Sequence, residues 1–253
     1  MVKSAIRVFK IIELVSLSEN GLTNAEISRA LSIPTGSLSF LLSDLVEYEY
    51  LLLDSSRKRY TLGPQILITA GRYIDRLDVV ELGKPIIREL TLSIGESTGI
   101  AIKVHWEMVI VCKYDARELL IQPMQVGETL PMHSTACGKV FLAYLSEDKI
   151  EHYLSKAELK PLTDNTITDV HKLRRELTQI RSNGLAWSRE ENIENLFAVA
   201  APVFDYNRYV VAAMMVAIPS VRFSKEKEAL AEKYIREESS RLSYQLGCTG
   251  TPT

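Results

Sequence analysis

The sequence predicts an α+β protein of two domains, and three observations carry that expectation. Helical periodicity fills most of residues 3–47 and is followed at once by two short β-type runs. A second helical stretch, residues 65–94, then separates this head from the C-terminal part of the chain. From Gly95 onward, runs rich in Val, Ile and Ala alternate with helical segments, as in an antiparallel sheet covered by helices. The boundaries read as a winged helix-turn-helix over 1–63, a helical linker over 64–94 and a sheet domain over 95–253. A chain of 253 residues is long enough for two cores.

The head reads as three helices and a hairpin. Residues 3–17 form a supporting helix, with Ile6, Phe9, Ile11 or Ile12, and Leu14 on one face. Thr23 and Glu26 make a capping box, each closing a free amide of the other's turn. Ala25, Ile27, Ala30 and Leu31 continue that second helix until Pro34 pushes Ile33 out of the α region. Pro34 then opens a third helix, striped by Leu38, Leu41, Leu42 and Leu45. Two short helices at a sharp angle are the unit whose second helix can enter a DNA major groove. Tyr50–Leu53 and Arg59–Leu62 read as strands joined by the polar turn Asp54–Lys58, which makes the wing.

In the linker, breaks are expected near Asp78 and at Gly83-Lys84-Pro85. Its surplus of apolar residues, Val79, Val80, Leu82, Ile86, Ile87 and Leu90, points to self-association. The sheet domain opens with a hairpin, Gly99–Val104 and Met108–Tyr114, and a third strand is expected over Leu119–Val126. Helices are expected at 136–145, 147–155 and 169–183, then strands at 197–204 and 209–218. Ser224 caps a last helix ending before Gly247.

Charge and chemistry narrow the function. Net charge is −2, and residues 1–77 carry nine Lys or Arg against eight Asp or Glu, so any basic footprint comes from clustering. From Pro34 to Tyr50 there is no Lys, Arg or His. The bidentate arginine–guanine contact is therefore absent from the recognition helix. Thr35, Ser37 and Ser39 offer hydroxyls to bases or phosphates, Gly36 allows close backbone approach and Phe40 can meet thymine methyls, while affinity leans on Arg57, Lys58 and Arg59 in the wing and on Lys3, Arg7 and Arg29. The longest apolar run, 209–219, is too short for a membrane helix, which needs roughly 20 residues. Cys112, Cys137 and Cys248 are few and widely spaced, which suits a reducing cytoplasm.

Catalytic readings fail on their parts. Cys137 and His133 invite a thiol–imidazole pair, but no third orienting residue is evident. Gly138-Lys139 lacks the upstream glycine of a phosphate loop. The histidines 105, 133, 152 and 171 are scattered, and Glu190-Glu191 reads as a solvated pair or a turn contact. No catalytic residue, metal or cofactor is expected. What remains is the loop–helix junction Gly127–Lys139, where a helix N-terminus offers amides to a small anion.

The chain resembles the IclR-type bacterial transcriptional regulators over nearly its whole length. In the head the resemblance rests on Thr23, Glu26-Ile27, Ile33-Pro34, Leu41-Leu42, Leu45 and Arg59-Tyr60 with Leu62-Gly63. Beyond it lie Gly127, Leu130-Pro131, His133, Ala136, Gly138-Lys139, Leu142-Ala143, Thr166–Asp169, Gly184, Glu190–Asn192 and Ala200–Asp205. The resemblance implies a GAF-like effector domain, dimers that are often paired into tetramers, and binding to palindromic double-stranded DNA operators near catabolic operons. It implies a regulator without enzymatic activity that represses or activates such an operon, with a repressor as the expectation here, controlled by a small carboxylic acid.

The implied effector contacts are Leu130, His133, the backbone at Ala136 and Cys137, Ser188, Leu196, Ala198, Met215 and Ala217. Two departures stand out. Gly36 and Phe40 replace a serine and an arginine common in the recognition helix, and Ser39 stands where His or Tyr is common. Ala198, Met215 and Ala217 are apolar where Cys or Ser is typical, which implies an effector bulkier or less polar than glyoxylate or pyruvate, such as an aromatic or longer-chain acid. The other reading is a small-molecule sensor or enzyme-like domain whose head binds a protein or has weak DNA affinity.

Overall fold

The structure, a computed structural model, describes residues 3–74, 78–117 and 124–249. The chain divides into two compact units, 1–77 and 78–253.

In the first unit, α1 (Lys3–Ser16), α2 (Asn24–Leu31) and α3 (Thr35–Glu47) precede a hairpin of β1 (Leu51–Asp54) and β2 (Arg59–Leu62), and α4 (Pro64–Ile74) comes next. The capping box is present on both sides, with Thr23 N donating to Glu26 Oε2 at 2.7 Å and Glu26 N to Thr23 Oγ1 at 3.3 Å. Ser32 ends α2 in the left-handed region (φ 53°), and Ser28 Oγ donates to Ile33 O, which turns the chain into α3. The core is Ile11, Val15, Ile27, Ile33, Leu38, Leu42, Leu45 and Leu51. Phe9 departs from the expected inward face and is 63% exposed. Val8, Ile11, Ile12 and Val15, spaced three and four apart, are the residues that turn inward, and Phe9 lies about 100° off that stripe.

The β1–β2 register pairs Leu51 with Leu62 and Asp54 with Arg59. Asp54 Oδ1 accepts Ser56 N, Ser56 Oγ and Arg57 N, which shapes the wing turn, and the Ser56 hydroxyl leads the bonds that hold this carboxyl below its ordinary range.

The second unit is built on one antiparallel sheet in the order β5-β4-β3-β8-β7-β6. Its strands are β3 (Ser97–Val104), β4 (Glu107–Tyr114), β5 (Thr129–Pro131), β6 (Ala186–Arg189), β7 (Leu196–Phe204) and β8 (Val210–Pro219). α5 (Val79–Ile94) and α9 (Lys225–Gln245) pack together and against the sheet. α6 (Ala136–Ala143) packs on β7 and β8 and against α8 (Val170–Asn183), and α7 (Glu147–Lys156) joins them in sequence. Period-two alternation separates the faces. Ala101, Met108, Ile110, Ala200, Ala213 and Met215 share a core with α6, while a Cβ added at Gly83 of α5 would meet Ile100.

Several expectations change here. The break expected at Gly83–Pro85 is absent, because α5 runs through Pro85 from an Asp78 cap and buries Ile86, Ile87, Leu90 and Ile94. That helix belongs to the second unit, so the expected 64–94 linker is divided between the units. The strand expected over 119–126 lies mostly outside the described residues, and Met124–Val126 is not strand. β5 and β6 were missed, being only 3 and 4 residues long.

Candidate DNA interface and ligand cavity

On α3, Thr35, Gly36, Ser37, Ser39 and Phe40 are all exposed, and Phe40 is 77% accessible. Ser39 is less available than its sequence position implies. Its hydroxyl donates to Thr35 O at 2.8 Å and accepts from Asn24 Nδ2 at 2.9 Å. Arg29, Arg57 and Lys58 are exposed, and Arg7 is half-buried. Arg59 is instead tied to the fold. Its Nη1 donates to Gly21 O at 2.7 Å and stands 3.4 Å from Glu26 Oε2. Beside it, Leu22 and Tyr60 exchange both backbone hydrogen bonds, so β2 is fastened to the start of α2 and the Arg59 guanidinium serves that junction. The wing therefore presents Arg57 and Lys58 rather than three equivalent cations.

In the second unit, a cavity enclosing about 90 Å³ opens between the first turn of α6, β6–β8 and the segment before β5. Eight of the nine expected effector residues line it: Leu130, Ala136, Cys137, Ser188, Leu196, Ala198, Met215 and Ala217. His133 does not. Its ring is buried and Nε2 faces Lys160 O at 3.1 Å, and burial lowers its pKa, which favours the neutral imidazole.

Ile110, Met124, Glu128, Thr135, Asn192 and Ile193 complete the wall and were missed. Two signals pointed to them. Glu128 alternates with Leu130, and Thr135 is a good N-cap directly before Ala136.

The cavity's polar groups are individually oriented. Thr135 Oγ1 donates to Pro131 O at 2.6 Å and accepts from Gly138 N at 3.2 Å. The amides of Ala136 and Cys137 lie in the first turn of α6, where a helix supplies no acceptor. Ser188 Oγ donates to Ser134 O at 2.7 Å, which leaves its lone pairs as acceptors. Ser134 Oγ donates to Asn192 Oδ1 at 3.1 Å, which leaves the Asn192 amide nitrogen as a donor. α6 can approach so closely only because position 138 is glycine: a Cβ there would lie 2.3 Å from Met132 Cα and 2.5 Å from its carbonyl oxygen.

Behind the cavity, Lys139 is fully buried and its Nζ reaches Glu176 Oε1 at 2.6 Å and both Glu191 oxygens at 2.7 and 2.9 Å. Glu191 is therefore an interior carboxylate rather than a solvated one. Burial pushes its pKa up while Lys139 pulls it down. Thr163 Oγ1 and Thr166 Oγ1 donate to Glu190 O and Glu191 O, so the loop carrying Asn192 is held from three sides.

The arrangement does not activate a nucleophile. Cys137 is wholly buried, its pKa is pushed up to about 11 by burial, and its Sγ faces Thr135 Oγ1 rather than His133.

Two family models match this chain. One describes the C-terminal region of the IclR bacterial transcriptional regulators and covers residues 71–244; the other describes the IclR helix-turn-helix domain and covers 4–55. The chain belongs to the IclR family. It is similar to the HTH-type transcriptional regulator KipR of Bacillus subtilis (strain 168), 27% identical over 92% of this chain and 93% of KipR. It is also similar to the DNA-binding transcriptional repressor YiaJ of Escherichia coli (strain K12), 25% identical over 98% of this chain and 89% of YiaJ. The crystal structure of the Agobacterium tumefaciens repressor BlcR shares the fold, with a TM-score of 0.86 over 98% of both chains at 24% identity. As an IclR-family member the chain is a DNA-binding transcriptional regulator and not an enzyme. Among the described residues no helix is long and apolar enough to cross a membrane.

Proposed function

We propose that this IclR-family regulator is a cytoplasmic homodimer, able to pair into tetramers, that represses a catabolic operon and is controlled by a small carboxylic acid bound beside α6. The cavity at the first turn of α6 carries this reading. It combines two helix-terminal amides and the Asn192 amide, which suit a carboxylate, with a wall of Leu130, Leu196, Ala198, Met215 and Ala217. At about 90 Å³ the cavity is well above the ~10–15 Å³ that one water needs, so it admits a small organic acid, and its apolar wall favours one with an apolar body.

In the head, Thr35, Gly36, Ser37 and Phe40 meet bases, with Ser39 as a support, and Arg7, Arg29, Arg57 and Lys58 meet phosphates. The test has two parts. A mobility shift on the chain's own upstream DNA shows specific binding that falls steeply with salt. A thermal-shift screen over carboxylic acids identifies the effector, since a ligand that binds only the folded state raises apparent stability. No specific shift at low salt favours the reading in which the head serves a protein partner. Tight glyoxylate or pyruvate binding overturns the size and polarity assignment.

A further inference from the structure

The cavity beside α6 is asymmetric in charge, and this carries an inference that rests on its reading as the effector site. Glu128 is the only charged side chain among the described residues that line it. Glu128 is fixed in place: its Oε2 accepts Gln125 N at 2.9 Å, its backbone N donates to Gln125 O at 3.1 Å, and its carbonyl accepts Ile110 N at 3.0 Å. Ser188, with its proton committed to Ser134 O, offers the cavity lone pairs only. Among the described residues the wall therefore presents one carboxylate and one acceptor hydroxyl with no cation to balance them.

Geometry separates this end from the helix end. Glu128 stands immediately before β5, and Pro131, at the other end of β5, is joined to the α6 cap through Thr135 Oγ1 at 2.6 Å. Three residues of extended chain span about 10 Å at ~3.3 Å each. Glu128 and Leu130, two apart, face the cavity together.

We propose that the effector is a monocarboxylic acid with a hydrogen-bond-donating group, an amine or a hydroxyl, at its far end, placed against Glu128. A second carboxylate at that end would face Glu128 as a like charge without a counter-ion. An all-carbon tail would offer no donor to the acceptor sites of the Glu128 carboxylate that Gln125 N leaves open.

The test uses the full chain and three probes of equal carbon number: pentanoate, 5-aminopentanoate and glutarate, which differ only in the far-end group. Titration calorimetry and thermal shift are expected to rank 5-aminopentanoate first and glutarate last, with pentanoate about tenfold weaker than the amino acid, the equivalent of one charge-assisted hydrogen bond. Glu128→Gln is expected to erase most of the amino acid's advantage and to narrow the gap to glutarate. Glutarate binding as well as 5-aminopentanoate, an unchanged ranking in Glu128→Gln, or no binding of any of the three overturns the proposal. Binding of 5-aminopentanoate that survives Ala198→Phe, which fills the cavity, places the ligand elsewhere and overturns the site reading itself.

Discussion

Lys139 Nζ lies 2.7 and 2.9 Å from the two oxygens of Glu191, and the lysine is fully buried. Glu176, one quarter exposed, completes a triad of two carboxylates and one ammonium. Removing the cation leaves a buried carboxylate without its charge partner, which typically costs about 3–5 kcal/mol. Lys139→Ala is therefore expected to lower the stability of the second unit by about that much in urea unfolding. Lys139→Met combined with Glu191→Gln should recover part of the loss, because no unpaired charge then stays inside. A single Lys139→Ala variant as stable as the parent would show that water reaches the pair.

Gly138 and Met132 make the second tight relationship. With a Cβ only 2.3 Å from Met132 Cα, Gly138→Ala forces backbone to move, and the overpacking should cost at least about 2 kcal/mol. Because the same contact sets the first turn of α6, ligand-induced thermal stabilisation should fall as well. Full retention of both stability and ligand response would show that α6 shifts without cost.

His133 gives a pH dependence with a definite sign. Burial depresses its folded pKa below the ordinary 6.5, so between those values the unfolded chain binds the extra proton. The stability this group contributes is present above pH 6.5 and is lost as pH falls below it, toward the lowered folded pKa. Urea midpoints measured from pH 7.5 down to 5.5 should fall, and His133→Asn should flatten that part of the profile. An identical slope in the variant would assign it to other groups.

The head was legible in the sequence because its signals are local. The Thr23–Glu26 box, Pro34 and the Leu38-Leu42-Leu45 stripe each act within one or two turns. Phe9 was misplaced because a single apolar residue shifts a short stripe by one position. In the sheet domain, β7 and β8 are long apolar runs and read as strands, but β6 is four residues whose strand character comes only from pairing with β7. The cavity wall was legible where the family resemblance supplied positions. Asn192 was not legible, because its place depends on a side-chain hydrogen bond to Ser134, whereas Glu128 carried a local signal in its alternation with Leu130. Arg59 and Glu191 show the same limit: a charged residue in a loop or wing reads as solvated until its partner across the fold is known.

Lys58, Ser37 and Arg59 should separate into three behaviours on DNA. Lys58 sits at the wing tip, exposed and in the left-handed region at φ 53°, where it can meet a phosphate without reading a base. Lys58→Ala is expected to weaken binding to every sequence alike and to reduce the salt dependence by about one counter-ion. Lys58→Gly, which suits that backbone, distinguishes lost charge from strain. Ser37 is exposed on α3 with no intramolecular bond among those described, so Ser37→Ala should change preference at particular base pairs by about 1–3 kcal/mol. Arg59 supports the head through Gly21 O and Glu26, so Arg59→Ala should lower head stability by about 1 kcal/mol, allowing for its partial exposure. Mobility shifts over a randomised operator library, read beside the unfolding curve of each variant, check all three. Uniform loss from both Ser37→Ala and Lys58→Ala would show that α3 does not read bases. Unchanged stability in Arg59→Ala would return that residue to the phosphate contacts.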